Sequence, residues 1–295
     1  MKVVVSDNLI PEVLELIKST NSEVVYKPDS LESALQDAEV LVIRSATKVT
    51  PELLSHAKKL KMVIRGGVGL DNVDIPECKR LGITVANTPG ASTNAVAEFA
   101  LGLILSAVRN IPFAYSSLKS SKWEKKRFVG NEVKGRVLGL IGCGRIGASL
   151  GQKANALGMK VIGYNPVPRR DYNFIEYVDS LDDLFSRADI ISLHVPSTPE
   201  TKNMINVETI SKMKDGVVLI NTARGTIIEE NDLYAACKSN KISVAALDVY
   251  PSEPYTGKLL ELQNIIVTPH IAASTSEAQI GIGKEIAEKI RSLQV

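Results

Sequence analysis

Three residues in the last third of the chain carry groups that could move a proton and hold an anion: Arg224, Glu253 and His270. Each follows a short apolar run that reads as a buried strand, over 217–221, 244–248 and 265–268. Histidine titrates nearest neutral pH, so it can both give and take a proton. A carboxylate beside it fixes the ring tautomer and favours the charged form. Arginine adds a planar fork of donors that matches a substrate carboxylate. Taken singly, Arg224 reads as a surface charge and His270 as an ordinary polar residue. In open parallel sheets, however, ligands gather beyond the carboxyl ends of the strands, and three such residues at three strand ends read as a site.

A second constellation lies in mid-chain. The apolar run over 137–141 leads into Gly142, Gly144 and Gly147 at G-x-G-x-x-G spacing, and a helix is expected over 145–157. Gly142 would permit the tight turn, Gly144 would let the backbone approach a pyrophosphate, and Gly147 would let helix and strand pack closely. The helix N-terminus would present its unpaired N–H groups to the anion. Spacing alone is weak, since it also describes a glycine-rich turn; the strand before and the helix after make it a dinucleotide cradle. A third feature is the turn Arg65-Gly66-Gly67-Val68-Gly69, whose successive N–H groups can form an anion nest.

These groups need a scaffold, and 295 residues suggest two domains. Strands are expected over 3–5, 23–26, 40–43, 62–64 and 83–85, alternating with helices over 11–17, 31–37, 51–57 and 76–81. Thr50 is the expected N-cap of the third helix and Pro51 its first residue. The alternation resumes with strands over 137–141, 160–164, 190–194, 217–221, 244–248 and 265–268. The helices between them are expected over 145–157, 180–186, 207–213 and 230–238, and a tail helix over 275–295. Strands alternating with helices imply parallel sheets. The expected fold class is therefore α/β, with two doubly wound parallel-sheet domains and a cleft between them, the second a Rossmann dinucleotide-binding domain. Residues 1–88 plus 271–295 would form a substrate-binding domain and residues 89–270 the dinucleotide-binding domain, with Thr88-Pro89-Gly90 as hinge. The helix over 95–109 is apolar all round, so it should be buried in the domain or in a subunit contact; it is read as a dimer element.

Bulk composition narrows the class. A net charge of +2 with 23% charged residues gives no general pull toward nucleic acid or membrane. Cys78, Cys143 and Cys237 show neither paired nor metal-ligand spacing, so no metal is expected and a reducing, cytoplasmic setting fits. The N-terminus has no signal-peptide layout, and no apolar run approaches the ~20 residues a membrane span needs.

The chain resembles the D-isomer-specific 2-hydroxyacid dehydrogenases, and within them the phosphoglycerate dehydrogenase branch. The segments that carry the resemblance span nearly the whole length. They include Val42 to Thr50, Arg65 to Asp74, Asn87-Thr88-Pro89, Ala97-Glu98 and Lys122-Trp123-Glu124. The glycine motif, Asn221 to Gly225, Ala246 to Val249, Glu253-Pro254 and Pro269 to Thr275 complete the set. The resemblance implies that His270 exchanges the proton as hydride moves to or from the substrate carbon. Glu253 would pair with His270, and Arg224 would bind the substrate carboxylate and polarise the carbonyl. It also implies cofactor contacts at Gly142, Gly144, Arg145, Ile146, Gly147, Asn165, Pro196, Thr222, Ala223, Asp248, Ala272 and Ala273, with Asp248 meeting the nicotinamide carboxamide. Gly66, Gly67 and Val68 would hold the carboxylate from the substrate domain. Arg44, Lys48 and Arg65 would supply cations for a phosphate. The basic run Lys119 to Arg127 reads either as a solvated face or as a cationic contribution to a neighbouring subunit's site.

The implied reaction is NAD-dependent conversion of D-3-phosphoglycerate to 3-phosphohydroxypyruvate, the entry to serine synthesis, in a homodimeric enzyme of the family's short form. Reduction of glyoxylate, hydroxypyruvate or another 2-keto acid is the alternative within the family. A dinucleotide-sensing interaction protein, as among related corepressors, is the alternative outside catalysis. Two departures matter. About 20 residues past the glycines an acid ordinarily binds the ribose hydroxyls, and here Asn165 stands in its place. NAD is the expected cofactor; Asn165 with Arg169 and Arg170 beyond it leaves NADP open. The chain as read also stops soon after the helix that follows His270, so no serine inhibition through a C-terminal regulatory domain is expected.

Overall fold

The computed structural model describes residues 1–165 and 172–294. The chain opens with β1 (Lys2–Val5), α1 (Pro11–Lys18), β2 (Glu23–Tyr26), α2 (Leu31–Leu35) and β3 (Val40–Ile43). It continues through α3 (Pro51–Ser55), β4 (Met62–Arg65), α4 (Ile75–Arg80) and β5 (Thr84–Asn87). Two consecutive helices follow, α5 (Thr93–Val108) and α6 (Ile111–Lys119). Then come β6 (Val137–Ile141), α7 (Arg145–Ala156), β7 (Lys160–Tyr164), β8 (Glu176–Tyr177), α8 (Leu181–Arg187) and β9 (Ile190–Leu193). The last elements are α9 (Val207–Ser211), β10 (Val217–Asn221), α10 (Glu230–Lys238), β11 (Ile242–Leu247), β12 (Ile265–Val267) and α11 (Ser276–Ser292).

The chain divides into two compact units, Met1–Thr93 with Ala273–Val295, and Asn94–Ala272. The crossings thus lie at 93/94 and 272/273, against the 88/89 and 270/271 read from the sequence. Both sheets are parallel throughout. The first unit has strand order β2-β1-β3-β4-β5, the flavodoxin-like doubly wound order, with its reversal between β1 and β3. The second has order β12-β11-β10-β9-β6-β7-β8. Read from β8, this is the Rossmann order with one strand added, and its reversal falls between β6 and β9.

Strand alternation builds the first unit's core on both faces of its sheet. Val3, Val5, Val40, Val42 and Ile64 pack with Val13 and Ile17 of α1 and with Ile282, Ile286 and Ile290 of α11. Val4, Leu41, Ile43 and Val63 pack on the other face with Leu35, Leu53, Leu54 and Cys78. Successive side chains point to opposite faces, so a strand such as Val40–Ile43 must be apolar at every position, and all four of its residues are buried. The tail helix returns to this unit. Gly283 makes the contact close, because a Cβ there would lie 2.8 Å from Val13 Cγ2. Thr50 caps α3 as expected, accepting a hydrogen bond from the Leu53 N–H, with Pro51 in the first turn.

The second unit corrects one emphasis. Ala97, Ala100, Leu103, Ile104, Ala107 and Val108 of α5 pack against Leu138, Leu140, Leu150, Ile190 and Ile220, so the helix read as a dimer element is a core helix of its own unit. A row of apolar residues turned outward belongs to α6, for which no helix was expected: Ile111, Tyr115 and Leu118 are 53%, 66% and 58% exposed, and the following loop exposes Trp123 at 83%. Their i, i+4, i+7 spacing is that of one helix face. Strand β8, two residues long, likewise has no apolar run to announce it. Among the described residues no single helix is long and apolar enough to cross a membrane.

If α5 is core, Ile104→Ala should lower the unfolding free energy by about 2–4 kcal/mol through lost burial and the cavity left behind. Urea titration measures this, and a loss below ~1 kcal/mol would show that the helix is not part of the core.

Candidate active site

The glycine turn sits at the carboxyl end of β6, beside the reversal in strand order. Gly142 has φ +96°, and a Cβ there would lie 2.7 Å from the His194 carbonyl oxygen. A Cβ on Gly147 would lie 2.1 Å from the Gly142 carbonyl oxygen, so both positions exclude a side chain. Gly144 differs: a Cβ there meets nothing within 4 Å. It is the N-cap of α7 and offers no side-chain cap, which leaves the first-turn N–H groups facing open space. Past β10, with β9 between it and β6, the buried Thr222 hydroxyl has no hydrogen-bond partner among the described residues. Open ground before a helix N-terminus is what a dinucleotide pyrophosphate would fill, and an unpaired buried hydroxyl is a donor free for a ligand.

The other expected cofactor positions surround this turn or lie further along the unit. Arg145 is exposed and Ile146 half-buried in the first turn of α7. The Asn165 Oδ1 accepts the Cys143 N–H at 2.6 Å, which closes the glycine turn from the end of β7. The Pro196 carbonyl accepts the Thr201 hydroxyl at 2.7 Å. Arg169 and Arg170 lie outside the described residues. His194, at the end of β9, was not anticipated. Its Nε2 lies 2.9 Å from the Ser192 hydroxyl, and burial pushes its imidazole down to about 4, so it is neutral at pH 7.

Three neighbouring strands, β10, β11 and β12, bring Arg224, Asp248, Glu253 and His270 to one end of the sheet. Past β10, the Asn221 side chain ties its own loop: its Oδ1 accepts the Ala223 N–H at 3.0 Å and its Nδ2 donates to the Arg224 carbonyl at 2.9 Å. The Arg224 guanidinium donates to the Ala223 carbonyl at 2.6 Å. Past β12, His270 Nδ1 lies 2.8 Å from Glu253 Oε2, and both side chains stay open, at 45% and 39% exposure. His270 has φ +55°, the left-handed region. It is held there by Asp248, which is fully buried. Asp248 accepts the Thr268 hydroxyl at 2.7 Å and the N–H groups of Ile271 and Ala272 at 2.8 Å each. Ala273 opens the returning segment of the first unit. A cavity of about 560 Å³ flanks the pair, with Tyr250, Tyr255, Leu260 and Val267 in its walls.

The first unit gathers its own set of expected residues at its strand-order reversal. Asp7, just past β1, is buried, and its Oδ2 accepts the N–H groups of Arg44, Ala46 and Thr47 at 2.6, 3.2 and 3.2 Å. Asn72 Nδ2 donates to the carbonyls of Arg44 and Thr47, each at 2.7 Å. These bonds shape the loop that carries Arg44, half-buried, and Lys48, exposed. At the end of β4, Gly67 has φ +148°, and a Cβ there would lie 1.8 Å from Arg65 Nη1; a Cβ on Gly66 would lie 3.6 Å from Arg44 Cγ. Both guanidinium-bearing chains therefore border the glycine turn. Val68 is exposed, and its carbonyl accepts the Asn87 amide at 2.6 Å.

Residues 101–272 match the family model described as "D-isomer specific 2-hydroxyacid dehydrogenase, NAD binding domain". The chain is 48% identical to the hydroxypyruvate reductase of Thermotoga maritima, over 98% of this chain and 97% of that protein. The chain belongs to the D-isomer-specific 2-hydroxyacid dehydrogenases. Its second unit is accordingly an NAD-binding domain. To the D-3-phosphoglycerate dehydrogenase of Methanocaldococcus jannaschii it is 44% identical, over 99% of this chain but only 57% of that protein, so the chain spans little more than half of this relative. Among solved structures it matches the D-lactate dehydrogenase of Aquifex aeolicus, complexed with NAD and lactic acid, with a TM-score of 0.87, 33% identity and coverage of 100% and 95% of the two chains.

For this dehydrogenase the displaced His194 makes stability depend on pH. Unfolded, the imidazole titrates near 6.5; folded, near 4. Below 6.5 the unfolded chain binds the extra proton, so this contribution is complete above that value and lost as pH falls toward 4. The full displacement corresponds to at most about 3 kcal/mol, less what the residue's partial exposure returns. Urea midpoints compared at pH 7.5 and pH 5 should therefore fall more steeply for the wild type than for His194→Asn. Equal slopes would remove His194 from the account.

Proposed function

We propose that the chain interconverts D-3-phosphoglycerate and 3-phosphohydroxypyruvate with NAD. The observation that carries the chemistry is the solvent-open His270–Glu253 pair at the strand ends of an NAD-binding unit. Bound NAD supplies the hydride acceptor, and its reduced form the hydride donor. Glu253 engages Nδ1 of His270, so Nε2 is the atom that hands a proton to the carbonyl oxygen during reduction and takes it from the hydroxyl during oxidation. Arg224 pairs with the substrate carboxylate and polarises the adjacent carbonyl. The cofactor is held by Gly142, Gly144, Arg145, Ile146, Gly147, Asn165, Pro196, Thr222, Ala223, Ala272 and Ala273. Asp248 is assigned to the nicotinamide carboxamide; it is fully buried, so that contact would require its loop to shift.

The first unit supports the phosphorylated substrate. Its glycine turn at Gly66 to Val68 offers N–H groups to an anion, and Arg44 and Arg65 border it with Lys48 nearby in sequence. Reduction of unphosphorylated hydroxypyruvate is the second reading, favoured by the Thermotoga maritima relative that this chain spans almost end to end. We also read the outward apolar face of α6, with Trp123 beyond it, as the surface of a homodimer, and the cytoplasm as the setting.

A rate panel with phosphorylated and unphosphorylated acids, run with NAD and with NADP, separates these readings. His270→Ala should cut kcat at least ~100-fold for every acid; retained turnover would overturn the proposed chemistry. Arg44→Gln and Lys48→Gln should raise KM for the phosphorylated acid about tenfold or more and leave hydroxypyruvate within a factor of ~2. Equal losses on both acids would favour the second reading. For the dimer, light scattering should give twice the chain mass, and Tyr115→Glu with Leu118→Glu should halve it without unfolding; an unchanged mass would place the association elsewhere.

A further inference from the structure

We infer that Tyr250 is the positioning residue that joins the three loops bearing Arg224, Glu253 and His270. The inference rests on the assignment of those three residues to the reaction. Tyr250 follows β11, and each part of it touches a different loop. Its backbone N–H donates to Glu253 Oε1 at 3.2 Å. Its phenol oxygen lies 2.9 Å from the Thr268 carbonyl and 3.1 Å from the Leu247 carbonyl, and it accepts the Thr268 N–H at 3.2 Å. Thr268 is two residues before His270, and Leu247 is the residue before Asp248. The peptide that links Tyr250 to Pro251 lies against Gly225, the neighbour of Arg224, where a Cβ would come within 1.9 Å of the Tyr250 carbonyl carbon.

The ring is fixed as well. It stacks on Tyr255 with centroids 4.5 Å apart and planes 16° from parallel. Burial is the main reason the phenol is pushed up to about 12, so it stays neutral at working pH and acts as a hydrogen-bonding hub rather than an acid. The Thr268 N–H also donates to the Leu247 carbonyl at 3.0 Å, and the phenol, sharing its proton between two carbonyls and accepting the same N–H, braces that bond between the β11 and β12 ends. The spacing of those ends sets how Glu253 meets His270. Misplacement by about 1 Å can cost on the order of 100-fold in rate even when the groups themselves are intact.

Tyr250→Phe removes the hydroxyl and keeps the ring and its stacking partner. In the full-length enzyme kcat should fall about 10- to 100-fold while KM for NADH and for the keto acid stays within a factor of ~2. A second readout needs no turnover. The chain has three histidines, so nitrogen-15 NMR of histidine-labelled protein resolves His270, identified by the signal that changes in Glu253→Gln. In Tyr250→Phe that Nδ1 signal should move toward its position in Glu253→Gln. A wild-type kcat, or an unmoved Nδ1 signal, would overturn the inference, as would a kcat loss matched by an equal rise in KM. If His270→Ala keeps its activity, the proposed chemistry fails instead, and the NMR signal still decides whether Tyr250 governs the His270–Glu253 contact.

Discussion

The proposed chemistry depends first on the buried carboxylate of Asp248. It receives a hydroxyl and two backbone N–H groups from the segment on either side of His270. Hydrogen bonds to a charged group contribute about 1.5–3 kcal/mol each, whereas a non-glycine residue in the left-handed region costs on the order of 1–3 kcal/mol. Three such bonds outweigh the strain at His270, so the backbone turns there and swings the ring toward Glu253. Without Asp248 the segment would have two more unpaired N–H groups and no reason to hold the turn. The imidazole's direction is therefore set one strand away from the imidazole.

The first unit repeats this device with different residues. Asp7 lies just past its strand and collects three N–H groups and the Thr47 hydroxyl, while Asn72 closes the other side of the same loop. In both units a buried acid at a strand end gathers the donors of a loop from a strand that pairs with its own. The loop's cationic or imidazole side chains remain outward. Parallel sheets favour this arrangement because their carboxyl ends all lie together, and where strand order reverses the loops part and leave room.

Much of the scaffold is legible in the sequence because parallel strands are buried on both faces. Runs such as Val40–Ile43, and Val217–Ile220 with Asn221 closing the strand, are apolar and bounded by turn residues, and the strand limits agree with the structure. The glycine motif is legible for a similar local reason: Gly142 and Gly147 answer contacts within a few residues or with the adjacent strand. What escaped notice depends on pairing between distant segments. Nothing local says that Asp7 collects the 44–47 loop, that Asn165 closes the glycine turn, or that Tyr250 bridges β11 and β12. Helix α6 escaped for a different reason. Its apolar positions have helical spacing, yet they face outward, so no core pattern extends across the polar loop behind it.

In the proposed reading Asn165 serves two purposes that need different chemistry. Closing the glycine turn takes a single acceptor oxygen for the Cys143 N–H, which asparagine and aspartate both provide. Choosing between dinucleotides takes charge, because a carboxylate accepts from both ribose hydroxyls and repels a 2′-phosphate. The chain keeps the first property and gives up the second. The turn is therefore still closed, by a neutral acceptor, while the electrostatic barrier to a phosphorylated ribose is absent at this position. Turn geometry and cofactor charge selection are separable here, and the separation lies in one amide nitrogen.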